Sequence, residues 1–203
     1  MDNNLQSVLK SLNADKNYRS QFKIAFNDDV INSKYVLKAL AQFVGLMISS
    51  NSKYDKYIKG EVTFSENEKN GLALFRANCA NCHKEPLFTD NSYRSNGIAV
   101  DSTLNDFGRF KITANEEDKY LFKVPSLRNV AVTYPYMHDG RFQRLREVIN
   151  HYGNKKNFSK NADKSLNKIV ELSENDKKDI ISFLLTLTDI DFLQNKDFSE
   201  PIK

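Results

Sequence analysis

Apolar residues recur at helical spacing along much of the chain. Leu5, Val8, Leu9 and Leu12 share one helical face. Tyr18 to Phe26 repeats the pattern with Phe22, Ile24 and Ala25. Ser33 to Ile48 carries Val36, Leu37, Leu40, Phe43, Val44, Leu46 and Met47, which leaves few polar faces and predicts a central, well-buried helix. Ser65-Glu66-Asn67-Glu68 has the form of a capping box. It should open a helix through Leu72, Leu74 and Phe75 that runs straight into Cys79. Phe142 to Tyr152 reads as a helix closed by Gly153. Ser173-Glu174-Asn175-Asp176 is another helix start, with Ile180 to Leu187 as its core face.

Periodicity disappears from Lys84 to Tyr120, where Pro86, Gly97 and Gly108 lie among Asn, Asp, Ser and Thr. A loop that long inside a compact domain is usually functional. Phe122 to Met137 holds Pro125 and Pro135 and should be extended or turn-like. The polar tail after Asp189 is expected to be loosely held.

Composition narrows the partners. The 30 basic and 26 acidic residues give a net charge of +4, and they are scattered. That describes a solvated surface and argues against nucleic-acid binding, which clusters its Lys and Arg. No run approaches the roughly 18 apolar residues of a membrane span. Met-Asp-Asn-Asn-Leu-Gln at the start has neither a basic nor an apolar signal region. Either the protein is cytosolic or the chain is a processed or shortened form.

The chain's two cysteines both fall in Cys79-Ala-Asn-Cys-His83, with one of its three histidines following the second. Chance would place them so in on the order of one such chain in ten thousand. Cys-x-x-Cys-His is the attachment motif of haem c: two thiols add across the vinyl groups, and the adjacent His lies beneath the iron. A structural zinc site lacks its second ligand pair, since His138 and His151 are thirteen apart. A thioredoxin-like pair would follow a strand and precede a helix, whereas here a helix precedes and a loop follows. Haem c is therefore expected, with Cys79, Cys82 and His83 as its anchors. Covalent haem attachment occurs outside the cytoplasm, so a periplasmic, processed chain is expected. Met47, Met137, His138, His151 and Tyr152 are the candidates for the second axial ligand.

Several runs in series resemble a known family. Val124-Pro-Ser-Leu-Arg-Asn129, Tyr134-Pro-Tyr-Met-His-Asp-Gly140 and Leu145-Arg-Glu-Val-Ile-Asn-His-Tyr152 are similar to the C-terminal half of the bacterial di-haem cytochrome c peroxidase and MauG family. Ala39 to Tyr57, with its Ser49-to-Asp55 turn, and the stretch from Ser65 to His83 extend the resemblance. It implies a mainly α, class I cytochrome c-like helical domain with long loops around one covalent haem. N-terminal helices over 1–60 would pack on that domain, the domain itself would span 61–190, and a tail would cover 191–203.

The resemblance also implies roles. His83 would be the proximal ligand of the six-coordinate, electron-transferring haem. Counting fourteen from His138 reaches Tyr152, where the peroxidases carry Met and the MauG-like branch carries Tyr. Tyr152 is thus the expected distal ligand, and Met137 the runner-up. Calcium would bind main-chain carbonyls of Thr133 and Pro135, oxygen donors that suit a hard cation. Arg128 would pair with a haem propionate. The family has two haem motifs and this chain has one, so peroxidase activity would need a second haem domain. Expected partners are that domain, a small donor cytochrome or cupredoxin, and hydrogen peroxide as substrate. A MauG-like oxidase of a protein substrate, a single-haem electron carrier and a haem-binding sensory or scaffold domain are the alternatives.

Overall fold

The computed structural model describes residues 4–154, 156 and 158–200. Contacts divide the chain into two units, Met1–Ile48 with Lys196–Lys203, and Ser49–Asn195. The first unit holds α1 (Leu5–Ala14), α2 (Lys16–Phe26) and α3 (Ser33–Leu46). Asn4, Asp15 and Asn32 cap their N-termini through side-chain oxygens, satisfying amides that have no partner within the helix. α3 forms as its pattern predicts, but it is not well buried. Of the apolar residues expected to be covered, only Val36 is; Leu37, Leu40, Phe43, Val44 and Leu46 are exposed. Burying a helix that is apolar on most faces requires neighbours on most sides. Among the described residues of this unit, only Ile31 joins Val36 in being buried.

The second unit contains α4 (Lys53–Ile58), α5 (Glu66–Asn78), β1 (Tyr93–Arg94), α6 (Phe110–Thr113), β2 (Phe122–Lys123), α7 (Leu145–Tyr152), α8 (Glu174–Leu185) and α9 (Ile190–Leu193). The boundary expected at residue 60 falls instead after Ile48. Residues 49–60 carry the Ser52–Asp55 capping box and Tyr54, and Tyr54 packs into the core of this second unit. Ser65 with Glu68 and Ser173 with Asp176 form the capping boxes that open α5 and α8. The loop from Lys84 to Tyr120 is mostly irregular, yet β1 inside it pairs antiparallel with β2, Tyr93 opposite Lys123 and Arg94 opposite Phe122. α7 starts later than its apolar pattern suggested. Phe142 is drawn into a bridge with Tyr136, and Glu147 instead accepts from the Arg144 amide.

The core lies where α5 crosses α8. Phe75, Phe88 and Phe183 are fully buried there, with Phe75 and Phe183 ring centres 5.0 Å apart and Tyr54 4.9 Å from Phe88. Each such aromatic contributes on the order of 2–3 kcal/mol through burial. Gly71 makes the crossing possible. A Cβ at that position would collide with the Asp179 carbonyl of α8 and lie 2.8 Å from Phe183 Cβ.

A second tie gathers residues distant in sequence. The buried Asp189 carboxylate accepts from the Ser49 hydroxyl at 3.1 Å, the Asn51 amide at 2.9 Å and the Phe192 amide at 3.0 Å. Its own amide donates to Asn129 Oδ1 at 2.8 Å, and Asn129 Nδ2 donates to Ser49 Oγ at 3.0 Å. The tail expected to be loosely held after Asp189 is anchored at its root and continues into α9.

Gly71→Ala should destabilise the protein by about 1–3 kcal/mol, the usual cost of overpacking. Denaturant melts measure it, and unchanged stability would show that α5 and α8 do not approach this closely.

Candidate haem centre

The pentapeptide is shaped by the end of α5. Cys79 caps the helix, its amide donating to the Phe75 carbonyl at 2.7 Å. The Cys79 carbonyl then accepts from both the Cys82 and His83 amides, at 3.2 and 3.0 Å. The backbone thus closes into one turn that carries both thiols and the imidazole. Cys79 also packs against the aromatic core.

Both cysteines are free. Burial, with the neighbouring Cys82 adding to it, pushes the Cys79 thiol up to about 12. Burial also raises Cys82, against the opposing charge of Arg94 and a hydrogen bond from Ser165. These are the reverse of the lowered values that a reactive redox pair needs. The thioredoxin-like alternative therefore loses its chemistry as well as its context.

His83 is fixed by its second nitrogen. Nδ1 lies 3.1 Å from the Phe88 carbonyl and 3.1 Å from the Pro125 carbonyl. Carbonyls only accept, so Nδ1 carries the proton and the Nε2 lone pair is left free. Burial lowers the His83 pKa, with the two carbonyls opposing it, so the ring is held neutral. An imidazole ligand requires that arrangement, a neutral ring whose other N–H is anchored. Phe88 reaches the position with φ of 55°, a left-handed conformation unusual for an aromatic, while its ring is sealed in the core. Pro125 is brought close by cross-bonds between the two segments: Thr89 Oγ1 to the Val124 carbonyl at 2.6 Å, the Val124 amide to the Ser92 carbonyl at 2.8 Å, and Ser126 Oγ to the Leu87 carbonyl at 2.6 Å.

Tyr152 is the last residue of α7, its ring 5.1 Å from that of His151. Burial first, then the charges of Cys79 and Cys82, raise its phenol well above the ordinary value. A hydroxyl so placed stays protonated unless a strong Lewis acid takes the proton's place. Two unpaired thiols on one turn and a neutral imidazole with Nε2 free fit a covalent haem.

The other candidates are engaged elsewhere. Met137 Sδ accepts from Asn96 Nδ2 at 3.1 Å, and His151 donates from Nε2 to the Asn96 carbonyl at 2.9 Å. His138 stacks on Phe122 with ring centres 3.7 Å apart. Met47 belongs to the first unit. Thr133 and Pro135 lie in an exposed stretch after the 3-10 turn Val130–Val132. Among the described residues, no group of three or more His, Cys, Asp or Glu is arranged to hold a metal ion.

Arg128, the expected propionate partner, is engaged within the protein. Its guanidinium makes a two-pronged pair with Asp55, Nη1 and Nη2 each 2.9 Å from a carboxylate oxygen, and Nε donates to the Pro86 carbonyl at 3.0 Å. Both side chains are only 11% exposed. The fork expected at a propionate is used as an internal brace, because Asp55 is presented directly to it by the α4 capping box. In the sequence Asp55 shows only as part of the Ser49-to-Asp55 turn. An Asp three residues after Ser52 was the available signal for the capping box, but not for the ion pair.

A helical domain with this turn of chain is a c-type cytochrome. Residues 1–63 match the family model described as di-haem cytochrome c peroxidase, and residues 68–188 match that of cytochrome c. The methylamine utilization protein MauG of Methylophilus methylotrophus is 34% identical over 194 residues, covering 92% of this chain and 56% of that protein. The cytochrome c551 peroxidase of Nitrosomonas europaea is 32% identical over 189 residues, covering 91% and 52%. The crystal structure of a MauG-like protein associated with microbial copper homeostasis superposes with a TM-score of 0.82 at 30% identity, covering 99% of this chain and 67% of that one. The chain belongs to the di-haem cytochrome c peroxidase and MauG family. It spans about half the length of these two sequence relatives. No helix among the described residues is long and apolar enough to cross a membrane.

The Asp55–Arg128 brace carries a pH signature. Burial raises the Asp55 carboxyl, but the Arg128 and Ser52 hydrogen bonds outweigh it, so the folded value lies below the ordinary 3.8. A depressed carboxylate stabilises the fold above its unfolded pKa, and that stability is lost as pH falls through the folded value. Asp55→Asn should therefore be less stable than the parent at pH 7, with the gap closing below about pH 4. Arg128→Ala should cost about 3 kcal/mol, because it strands a buried carboxylate. Urea midpoints across pH test both, and a pH-independent gap for Asp55→Asn would contradict the assignment.

Proposed function

We propose that this chain is the electron-relaying haem domain of a periplasmic peroxide-reducing system. The observation that carries the reading is the His83 ring, pinned through Nδ1 by two carbonyls beside two free thiols. Cys79 and Cys82 would hold one haem c by thioether bonds, with His83 Nε2 as the nitrogen donor to its iron and the Tyr152 phenol as the oxygen donor. When bound, the haem supplies one-electron exchange. The protein's part is to anchor it, to orient the imidazole and to keep water away through the Phe75, Phe88 and Phe183 core. The Phe88 and Pro125 carbonyls strengthen His83 as a donor by drawing on its N–H.

In this reading peroxide reduction would need a second haem, on a domain that supplies a second attachment motif, and electrons from a small donor cytochrome or cupredoxin. A calcium ion at the Thr133 and Pro135 carbonyls belongs to the same reading, and its remaining oxygens come from elsewhere. The phenol of Tyr152 favours a second version. A phenolate is a hard donor that stabilises ferric iron and lowers the potential, whereas a thioether does the opposite. A haem held low in potential is suited to passing oxidising equivalents to a protein substrate, as in a MauG-like oxidase.

Co-expression with a periplasmic haem-maturation system should yield protein heavier by one haem, with a c-type pyridine haemochrome. Tyr152→Phe should abolish the phenolate-to-iron charge-transfer band and raise the potential. Apo mass after maturation would sink the haem assignment. A haem-loaded Tyr152→Phe with the parent's spectrum would sink only the distal ligand.

A further inference from the structure

Two candidate distal ligands are tied to one residue that plays no part in the reading above. Asn96 follows β1 in the long loop. Its Nδ2 donates to Met137 Sδ at 3.1 Å, and its main-chain carbonyl accepts from His151 Nε2 at 2.9 Å. Its Oδ1 accepts from the Ile98 amide at 3.3 Å, which fixes the amide with its N–H side toward the sulfur. His151 is buried, and its ring stands edge-on to Tyr152, centres 5.1 Å apart at 68°. Phe158 closes the other contact at 5.4 Å. Asn96 is thus one hydrogen bond from Met137, and one hydrogen bond and one ring contact from Tyr152.

The backbone of Met137 is fixed by its turn, the Gly140 amide donating to its carbonyl at 3.3 Å. Its φ is 71°, a left-handed conformation that non-glycine residues seldom adopt without a surrounding structure to impose it. Tyr136 beside it is bonded through its amide to the Phe142 carbonyl at 2.7 Å and through its hydroxyl to the Val130 carbonyl at 2.9 Å. A thioether is a weak hydrogen-bond acceptor, so the amide's hold on the sulfur is easily lost to a stronger partner. A soft sulfur donor and a hard phenolate give a haem opposite potentials. Whichever residue decides between them also decides the potential.

We propose that Asn96 is a positioning residue that selects the distal ligand. Its side-chain N–H keeps the Met137 thioether engaged, so that the Tyr152 phenol is left as the distal donor. The inference rests on the reading that haem is carried at Cys79–His83 with Tyr152 distal, and it adds the residue that enforces that choice.

The test uses the haem-loaded chain and reads spectrum and potential, not activity. Asn96→Leu keeps the size and removes the N–H. It should gain a thioether-to-iron charge-transfer band, lose part of the phenolate band and shift the potential upward. Asn96→Leu with Met137→Leu should lose the new band. Asn96→Asp retains an acceptor for Ile98 but turns an oxygen to the sulfur; it should shift the same way and covers the case in which the Leu variant does not fold. Parent-like spectrum and potential in the Asn96 variants that fold would overturn the proposal, as would a new band that survives Met137→Leu. A parent without haem, or with a band indifferent to Tyr152→Phe, instead overturns the underlying reading and this inference with it. The two failures are told apart before any Asn96 variant is made.

Discussion

The close approach of α5 and α8 at Gly71 governs the rest of the second unit. With no side chain there, the Asp179 carbonyl and Phe183 come down onto α5. That contact aligns Phe75, Phe88 and Phe183 as one aromatic block and sets where α5 ends. The end of α5 is Cys79. A packing decision in the middle of a helix therefore positions the thiols at its terminus, and the main-chain carbonyl of Phe88 carries the same order on to His83. The site inherits its rigidity from a dry core, and its polar groups are satisfied mainly by main-chain atoms.

The charge near the turn is paired. The thiols and the phenol are held protonated and the imidazole neutral, while the Arg94 guanidinium that acts on Cys82 is tied to Asp90 at 3.1 Å and to Asp163 at 3.3 Å. An arginine beside the attachment turn is a fixed positive charge that would act together with the axial donors on the potential of a bound haem.

Helices, caps and chemistry were legible in the sequence to different degrees. The capping boxes at Ser65 and Ser173 gave helix starts that the structure reproduces, and the spacing of Cys79, Cys82 and His83 defined the chemistry. The burial of α3 is not legible, because an apolar helix implies a partner without saying that one is present. Phe142 fits a helical pattern but serves a bridge to Tyr136, a competition between distant segments that no local pattern records. The Arg128 pair with Asp55 is equally silent, because the two residues lie far apart along the chain. Asn96 left no trace in the sequence, since an Asn in a polar loop looks like every other one; its importance comes only from what the fold brings to it.

The knot at Asp189 has a consequence for timing. It joins residues 140 apart at Ser49, and the Asn129 links to it span 80 and 60. Contacts over such separations pay their loop-closure entropy before they return anything, so topologies built on them close slowly. The turn at Cys79 needs only the last residues of α5 and can form early. Both thiols would then be presented on a local scaffold while the ring of distant contacts is still open, so the attachment turn does not wait for the knot at Asp189.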